Sequence, residues 1–351
     1  MSDSCIEFYT TFEDFYSKIL NDAENNILNT PFQYKAWQSK LYAEHKAVKP
    51  HIPYFGAILY NNGAPILGGH FFIKRSGRHR GVFLLGSGGE TDYYDLIYFC
   101  NEVKTEHINE LLKGIEQRYP ESPFTFTQVP EGSPLAMWAK ENGYEPYFTN
   151  ECAEISFSGT YEDYFSSLSK SVRQNIRTAK NRLAKDNSEA SIQIYNGQAI
   201  SNADIKELLL LYESRRKTKN NFNGLAKVKY RINEYLRKRK KEKYHLIKEA
   251  LCEMEGSFAA IYKIDQTIGA YCFGLKSKCS EKICIMQVAI NDDYGKYSPG
   301  MLMLTSVFEL LLNKTDSDGI LFDLTNGNEK YKYYLGATSH YTNYYRISLN
   351  K

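Results

Sequence analysis

The residues best placed to do chemistry lie late in the chain. Phe322-Asp323-Leu324 reads as a buried strand with a carboxylate in its middle. It turns through Asn326-Gly327-Asn328 into Glu329-Lys330-Tyr331-Lys332, a cluster that joins an acid, a phenol and an ammonium. A buried carboxylate needs a partner or a job, and one job is acid–base work on a bound group. The other reading is that Asp323 caps the next helix and the Tyr/Lys cluster is surface. The chain has 29 Tyr against 2 Trp, so part of that cluster is compositional bias.

A second stretch precedes it. Tyr294-Gly295-Lys296-Tyr297-Ser298-Pro299-Gly300 runs directly into an apolar helical pattern. Ser298 suits an N-cap, Pro299 suits the first helical position, and Gly300 lets another backbone come close. Helix N-termini offer unpaired N–H donors and the positive end of the dipole, so such a start can hold phosphate. The other reading is a well-capped helix and nothing more.

These residues need elements to hold them, and a repeat supplies the plan. Phe55–Tyr60, an Asn-Asn-Gly turn and Ala64–Ile73 read as a hairpin. Phe258–Tyr262, a Lys-Ile-Asp-Gln turn and Thr267–Gly274 read as another. Gly81–Gly86 is matched by Lys282–Gln287 as an apolar strand. An acidic Tyr-containing loop follows each, Thr91-Asp92-Tyr93-Tyr94-Asp95 and Asn291-Asp292-Asp293-Tyr294. Then comes an amphipathic helix, marked by Val103, Ile108, Leu111, Leu112 and Ile115 in one copy and by Leu302, Leu304, Val307, Phe308 and Leu311 in the other. Each copy closes with a strand (Phe124–Val129; Ile320–Leu324), a short helix, a Gly (Gly143; Gly336) and a Tyr-rich strand. The order strand–strand–strand–helix–strand–helix–strand thus occurs twice, over 55–148 and 258–349.

Between the copies the character changes. Over 161–185 the pattern predicts a helix with Leu168, Val172, Ile176, Ala179 and Leu183 on one face. Lys170, Arg173, Arg177 and Lys180 line another face, as an anion-binding stripe or a solvated surface. A second helix is predicted over 204–216, and the strongly basic stretch 225–251 reads as a third.

The bulk numbers set limits. At 351 residues the chain exceeds one ordinary core, which predicts two domains. The boundary is placed at 155/156, with 1–155 the first domain and 156–351 the linker helices and second domain. A composition 42% apolar and 24% charged, with net charge +3, is that of a globular protein and not of a polyelectrolyte binder. Seven Cys at irregular spacings, with no C-x-x-C, argue against a disulfide framework or a zinc site and predict a reducing, cytoplasmic compartment. No metal site is predicted. The N-terminus shows no signal-peptide pattern, and no apolar run is long enough to span a membrane. The His residues are scattered, and there is no H-E-x-x-H, G-x-S-x-G or P-loop.

The ordered set of motifs resembles the branch of the GNAT superfamily that contains CelD-like acetyltransferase domains and FemAB aminoacyl transferases. The carriers are "TPFQYKAWQSKL" (30–41), "LGSGGETDYYDLIY" (85–98), "YFSSLSKSVRQNIRTAKNRL" (164–183), "RR" at 215–216, Tyr294–Gly300, and Phe322-Asp323-Leu324 with Gly327, Tyr331 and Lys332. The superfamily's usual Gln/Arg-x-x-Gly-x-Gly/Ala signature is absent; Gly295–Gly300 stands in its place.

The resemblance implies an α+β fold of two tandem GNAT-like domains, each a mixed, mostly antiparallel sheet flanked by helices. It implies an N-acyltransferase that moves an acyl group, acetyl in the simplest case, from acyl-CoA to an amine, on a sugar or amino acid destined for an envelope polymer. Gly295, Lys296, Ser298 and Gly300 would hold the donor. Asp323, Glu329, Tyr331 and Lys332 would serve the chemistry: an acid to orient or deprotonate the ammonium, a phenol for the leaving thiolate, an ammonium for phosphate. Asp92, Tyr93, Asp95, Arg173 and Arg177 would bind the acceptor, a small amine, a nucleotide-sugar or an amino acid. The alternatives are a FemAB-like enzyme that uses aminoacyl-tRNA, and a non-catalytic binding module on the same fold. The first copy lacks the Ser-Pro-Gly helix start and reads as degenerate, an acceptor wall without a donor site.

Overall fold

The hairpin turns show how local chemistry builds the frame. In the computed structural model of the chain, Asn62 and Gly63 both take positive φ, at 50° and 78°. Such a two-residue turn matches the right-handed twist of the strands it joins. It connects β2 (Tyr54–Asn61) to β3 (Ala64–Ser76). In the second copy Asp265 and Gln266 do the same at 49° and 67°, between β9 (Ser257–Ile264) and β10 (Thr267–Lys276). The structure describes residues 4–17, 19, 22–48, 50–76, 79–87, 91–197, 200–219, 254–313 and 319–349. The basic stretch 225–251 lies outside them.

The remaining elements follow the repeat. The first copy continues with β4 (His79–Leu84), β5 (Ile97–Tyr98), α3 (Thr105–Arg118), β6 (Phe124–Pro130), α4 (Pro134–Glu141) and β7 (Phe148–Phe157). It is preceded by β1 (Ser4–Tyr9), α1 (Phe12–Ser17) and α2 (Lys35–Val48). The second copy continues with β11 (Lys282–Ile290), α8 (Pro299–Leu312), β12 (Ile320–Asn326), α9 (Lys330–Tyr334) and β13 (Thr338–Ile347). Between the copies lie α5 (Tyr161–Ser167), α6 (Lys170–Lys185), β8 (Ala190–Asn196) and α7 (Asn202–Lys219). The single helix expected over 161–185 is therefore two. Leu168 turns extended at ψ 152°, and the Ser169 side chain accepts from the Val172 N–H to start α6.

Two compact units result. The first holds 1–152, 278–280 and 339–351; the second holds 153–277 and 281–338. The first unit's sheet has the order β1-β2-β3-β4-β6-β13, with β5 on β3. Helices α3 and α4 pack Ile108, Leu111, Leu112, Ile115 and Trp138 against Phe124 and Phe126. Tyr345 and Ile347 of β13 belong to this core, in antiparallel register with β6 at Phe126 and Phe124. The second unit's sheet has the order β7-β12-β11-β10-β9-β8. Its core joins Val172, Ile176, Ala179 and Leu183 of α6 to Leu302, Val307 and Phe308 of α8, and it includes Ile155 and Phe157 of β7. The last strand of each copy thus contributes to the other copy's core. A boundary at 155/156 does not divide the chain that way, because 339–351 returns to the first unit.

Candidate active site at the start of helix α8

Three strands of the second unit position the candidate residues. Parallel β11 and β12 are in register only at Lys282–Leu321, Ile283–Phe322 and Cys284–Asp323, while β11 runs on to Ile290. Asp323 therefore sits where the two strands part. Its side chain is fully buried, and its Oδ2 lies 2.9 Å from Lys282 Nζ. Its Oδ1 accepts the Thr325 N–H at 2.8 Å. That short bond closes a local turn and helps hold Thr325 at φ 51°. A β-branched residue at positive φ is strained. The Thr325 hydroxyl donates to the Ile285 carbonyl at 2.8 Å, a second tie that keeps it there. Burial lowers the Lys282 pKa, but Asp323, Cys284 and Glu154 raise it more, and the net effect is upward.

Lys332 is buried, and the structure gives its ammonium a structural task. Nζ donates to the carbonyls of Leu324, Thr325, Asn326 and Gly327 at 2.9, 3.3, 3.0 and 3.0 Å. It also lies 3.3 Å from Glu329 Oε2. It closes the turn after β12. Glu329 sits at the N-cap of α9, half-buried, and its side chain makes no cap bond. Tyr331 is half-buried against the second unit's core. Asp323, Glu329, Tyr331 and Lys332 thus gather round one strand end.

The donor-side residues form the link from β11 to α8. Asp292–Tyr297 is a 3-10 turn, and Ser298 follows in the left-handed region at φ 49°. The Ser298 side chain makes no cap bond, contrary to its expected role; its carbonyl instead accepts from the N–H groups of Met301 and Leu302. Pro299 does occupy the first helical turn. A Cβ on Gly300 would meet Ile290 Cγ2 at 2.8 Å, so glycine lets α8 start hard against β11. A Cβ on Gly295 would meet nothing within 4 Å. Lys296 is pinned: its Nζ lies 2.7 Å from Asp186, which also accepts the Tyr297 hydroxyl at 2.7 Å. The bond to Asp186 raises the Lys296 pKa, and the same bond holds Asp186 below the usual carboxylate range. Arg182 donates to the Lys296 carbonyl at 2.8 Å, so the C-terminal end of α6 fixes this turn.

Arg173 and Arg177 lie on α6, in the same unit. Arg173 donates to the Ser166 carbonyl at 2.7 Å, and Arg177 lies 5.6 Å from the Phe165 ring centre. Asp92, Tyr93 and Asp95 belong to the first unit. Asp92 is half-buried. Tyr93 is packed edge-on against Phe32, and its carbonyl accepts from Gln33. Asp95 accepts from the Tyr98 hydroxyl and the Leu96 N–H, both at 2.7 Å. Burial pushes its carboxyl up to about 7, against the pull of those bonds. Tyr98 in turn accepts the Leu135 N–H at the start of α4. Tyr93 and Asp95, expected as substrate ligands, are both buried, and the Tyr93 hydroxyl lies 3.3 Å from His340 Nε2. Sequence reading missed Lys282, Thr325, Arg182 and Asp186. The one available signal was Lys282, a charge opening an apolar strand that pairs beside Asp323.

Residues 170–333 match the family model described as "Acetyltransferase (GNAT) domain". Among curated proteins none is significantly similar in sequence. Among solved structures, a conserved protein of unknown function from Bacteroides thetaiotaomicron VPI-5482 superposes with a TM-score of 0.56 at 13% identity, over 97% of this chain and 99% of that one. FemX superposes with a TM-score of 0.51 at 10% identity, over 97% of each chain. A tandem GNAT protein from the clavulanic acid pathway gives 0.47 at 10% identity, over 98% of each. Residues 170–333 thus match a GNAT acetyltransferase domain, and the chain shares its fold with FemX.

Proposed function

We propose that the second unit is an N-acyltransferase site that takes acyl-CoA as donor and an amine as acceptor. One observation carries this reading. Within the stretch that matches the acetyltransferase domain, β11 outruns its partner β12 and feeds through an open Gly295 turn into the N-terminus of α8. The helix start suits a pyrophosphate through its dipole and the Gly300 N–H, since Pro299 has no N–H and those of Met301 and Leu302 already donate to the Ser298 carbonyl. The parted strands leave β11 backbone beyond Cys284 to run beside an extended pantetheine arm. The amine would attack the thioester directly, with backbone N–H groups stabilising the oxyanion. It must be neutral to do so, and the thiolate must gain a proton on leaving.

In this reading Asp323 and Lys332 are positioning residues. Asp323 holds the Thr325 kink and the Lys282 ammonium; Lys332 closes the turn behind it. Glu329 is the carboxylate of this cluster that reaches solvent, and it serves as the proton carrier, with Tyr331 beside it. Arg173 and Arg177 bear on the acceptor side, where an anionic amine-bearing sugar or amino acid would meet them.

Gly295→Glu tests the donor assignment. The new side chain has room, so the melting temperature should hold. Its charge faces the phosphate position, so calorimetric CoA affinity should fall at least about tenfold. Absence of CoA affinity in the parent protein, or affinity unchanged in the variant, overturns the acyl-CoA reading. A donor of aminoacyl-tRNA type is then the one to assay.

A further inference from the structure

Strand β8 closes one end of the second unit's sheet, where among the described residues it pairs with β9 alone. Its seven residues, Ala190–Asn196, include no charge and no proline, and their register with β9 runs without a bulge. Charges, prolines and bulges are the usual guards of an exposed strand edge. By contrast β1, the outer strand of the first unit, has Glu7 near its middle. We propose that the bare edge of β8 is the contact of a reversible symmetric dimer, in which it pairs antiparallel with β8 of a second copy about a two-fold axis at Gln193.

The ladder with β9 fixes which groups face outward. The Asp265 N–H donates to the Glu189 carbonyl at 2.9 Å, and the Gly197 N–H donates to the Ser257 carbonyl at 2.8 Å. Backbone groups of a strand alternate sides from one residue to the next. Ser191, Gln193 and Tyr195 therefore bond toward β9, and the N–H and C=O groups of Ala190, Ile192, Ile194 and Asn196 point away from it. No strand among the described residues meets that side. An axis at Gln193 sets Ile192 against the second copy's Ile194, and Ala190 against the second copy's Asn196. Those are the four outward residues, so the pairing uses every outward group, about eight hydrogen bonds in all. An axis at Ile192 or at Ile194 would leave one end of the strand overhanging.

The side chains favour the same axis. Ile192 and Ile194 are half-buried against the second unit's core, on the face that carries α6 and α8. Opposed across the axis, they join one apolar core to the next and lose their remaining exposure. Gln193 is exposed on the other face and meets its own copy, where two amides can each donate and accept. Tyr195 on that face is already buried with Ile205 and Leu208 of α7. Glu189, just before the strand, falls opposite Gly197, so no like charges meet along the ladder. A single strand pair buries less area than a permanent dimer needs, so the association is reversible, with a dissociation constant of about 1–100 μM.

The test uses the full chain. Sedimentation velocity between about 1 and 300 μM should show a monomer–dimer equilibrium. Gln193→Lys and Gln193→Glu change an exposed side chain. Each sets like charges face to face and should weaken the dimer about fivefold or more, with the melting temperature unchanged. Mixed together, the two variants should pair again, because Lys then faces Glu. Hydrogen exchange should protect the Ile192 and Ile194 amides only as concentration rises through the dimer transition. A chain that stays monomeric throughout, a dimer indifferent to both variants, or a mixture no better paired than either variant alone would each overturn the proposal. So would amides at 192 and 194 that are protected in the monomer, since another segment of the same chain would then cover the edge. None of these outcomes depends on whether the second unit transfers acyl groups.

Discussion

Asp323 shows how one buried residue can hold a strand end together. A fully buried carboxylate needs a cation, and Lys282 supplies it at 2.9 Å. Asp323→Asn keeps the acceptor for the Thr325 N–H but removes the carboxylate charge that faces Lys282. Breaking a buried pair from one side is costly, while replacing both partners with apolar groups is often neutral. Asp323→Asn should therefore lose about 2 kcal/mol or more in urea melts, with the cost softened because Lys282 is partly exposed. The double change Lys282→Met with Asp323→Leu should be more stable than that single variant. A single variant at parental stability would show that the pair carries little. Lys282 also makes a pH prediction. Its folded pKa is raised, so its stabilising effect is complete below the unfolded value of about 10.4 and is lost as pH rises beyond it. Melting temperature should fall above about pH 10.4 in the parent and fall less steeply in the double variant.

Asp95 makes the opposite kind of prediction in the first unit. Its folded pKa is raised by burial to about 7, well above the ordinary carboxyl value of 3.8. Its contribution is therefore present below about pH 4 and is lost as pH rises through 7. Asp95→Asn imitates the protonated acid. It should melt higher than the parent at pH 8, match it near pH 4, and flatten the slope between. An equal loss at both pH values would mean that the Tyr98 and Leu96 bonds matter more than the charge.

At the scale of elements, the two copies use the same local devices, and these explain what was legible. Both hairpin turns hold two consecutive positive-φ residues, at 62–63 and 265–266. Both closing helices end at a positive-φ glycine, Gly143 at 72° and Gly336 at 88°. At each of these ends a 6→1 bond follows, Tyr144 N–H to the Ala139 carbonyl and Ala337 N–H to the Lys332 carbonyl. Turn residues, helix ends and apolar periodicity are written in neighbouring positions, so the order of elements could be read directly. The strand kink could not. Gln128 in β6 and Thr325 in β12 both sit at φ 51°, yet neither residue type announces it. Two positions before the kink stands Phe126 in one copy and Asp323 in the other. The first copy thus keeps the bend and lacks the acid. Partners distant in sequence were also hidden. That Lys332 would turn inward onto four carbonyls, or that Asp186 would hold Lys296, depends on packing that no local pattern records. Lys332→Met should accordingly cost about 2 kcal/mol or more, since hydrogen bonds from a charged group would be lost at once. If stability holds while acyl transfer fails, the ammonium has a chemical role after all.

At the scale of the whole molecule, the return of β13 to the first unit governs stability and assembly. A chain ending at Thr338 would strip Tyr345 and Ile347 from the first core, where they are 3% and 0% exposed. Losing two large buried side chains costs several kcal/mol, about 2–5 for each. Calorimetry of that truncation should show the first unit's transition moved sharply downward, while CoA binding by the second unit persists. An unmoved transition would mean that β13 adds little. The same feature sets a timetable during synthesis. β6 leaves the ribosome about 200 residues ahead of its partner, which at about 5–20 residues per second is about 10–40 s. Throughout that interval its edge offers unpaired N–H and C=O groups to any passing strand. The part of the chain made first is the part that must be finished last.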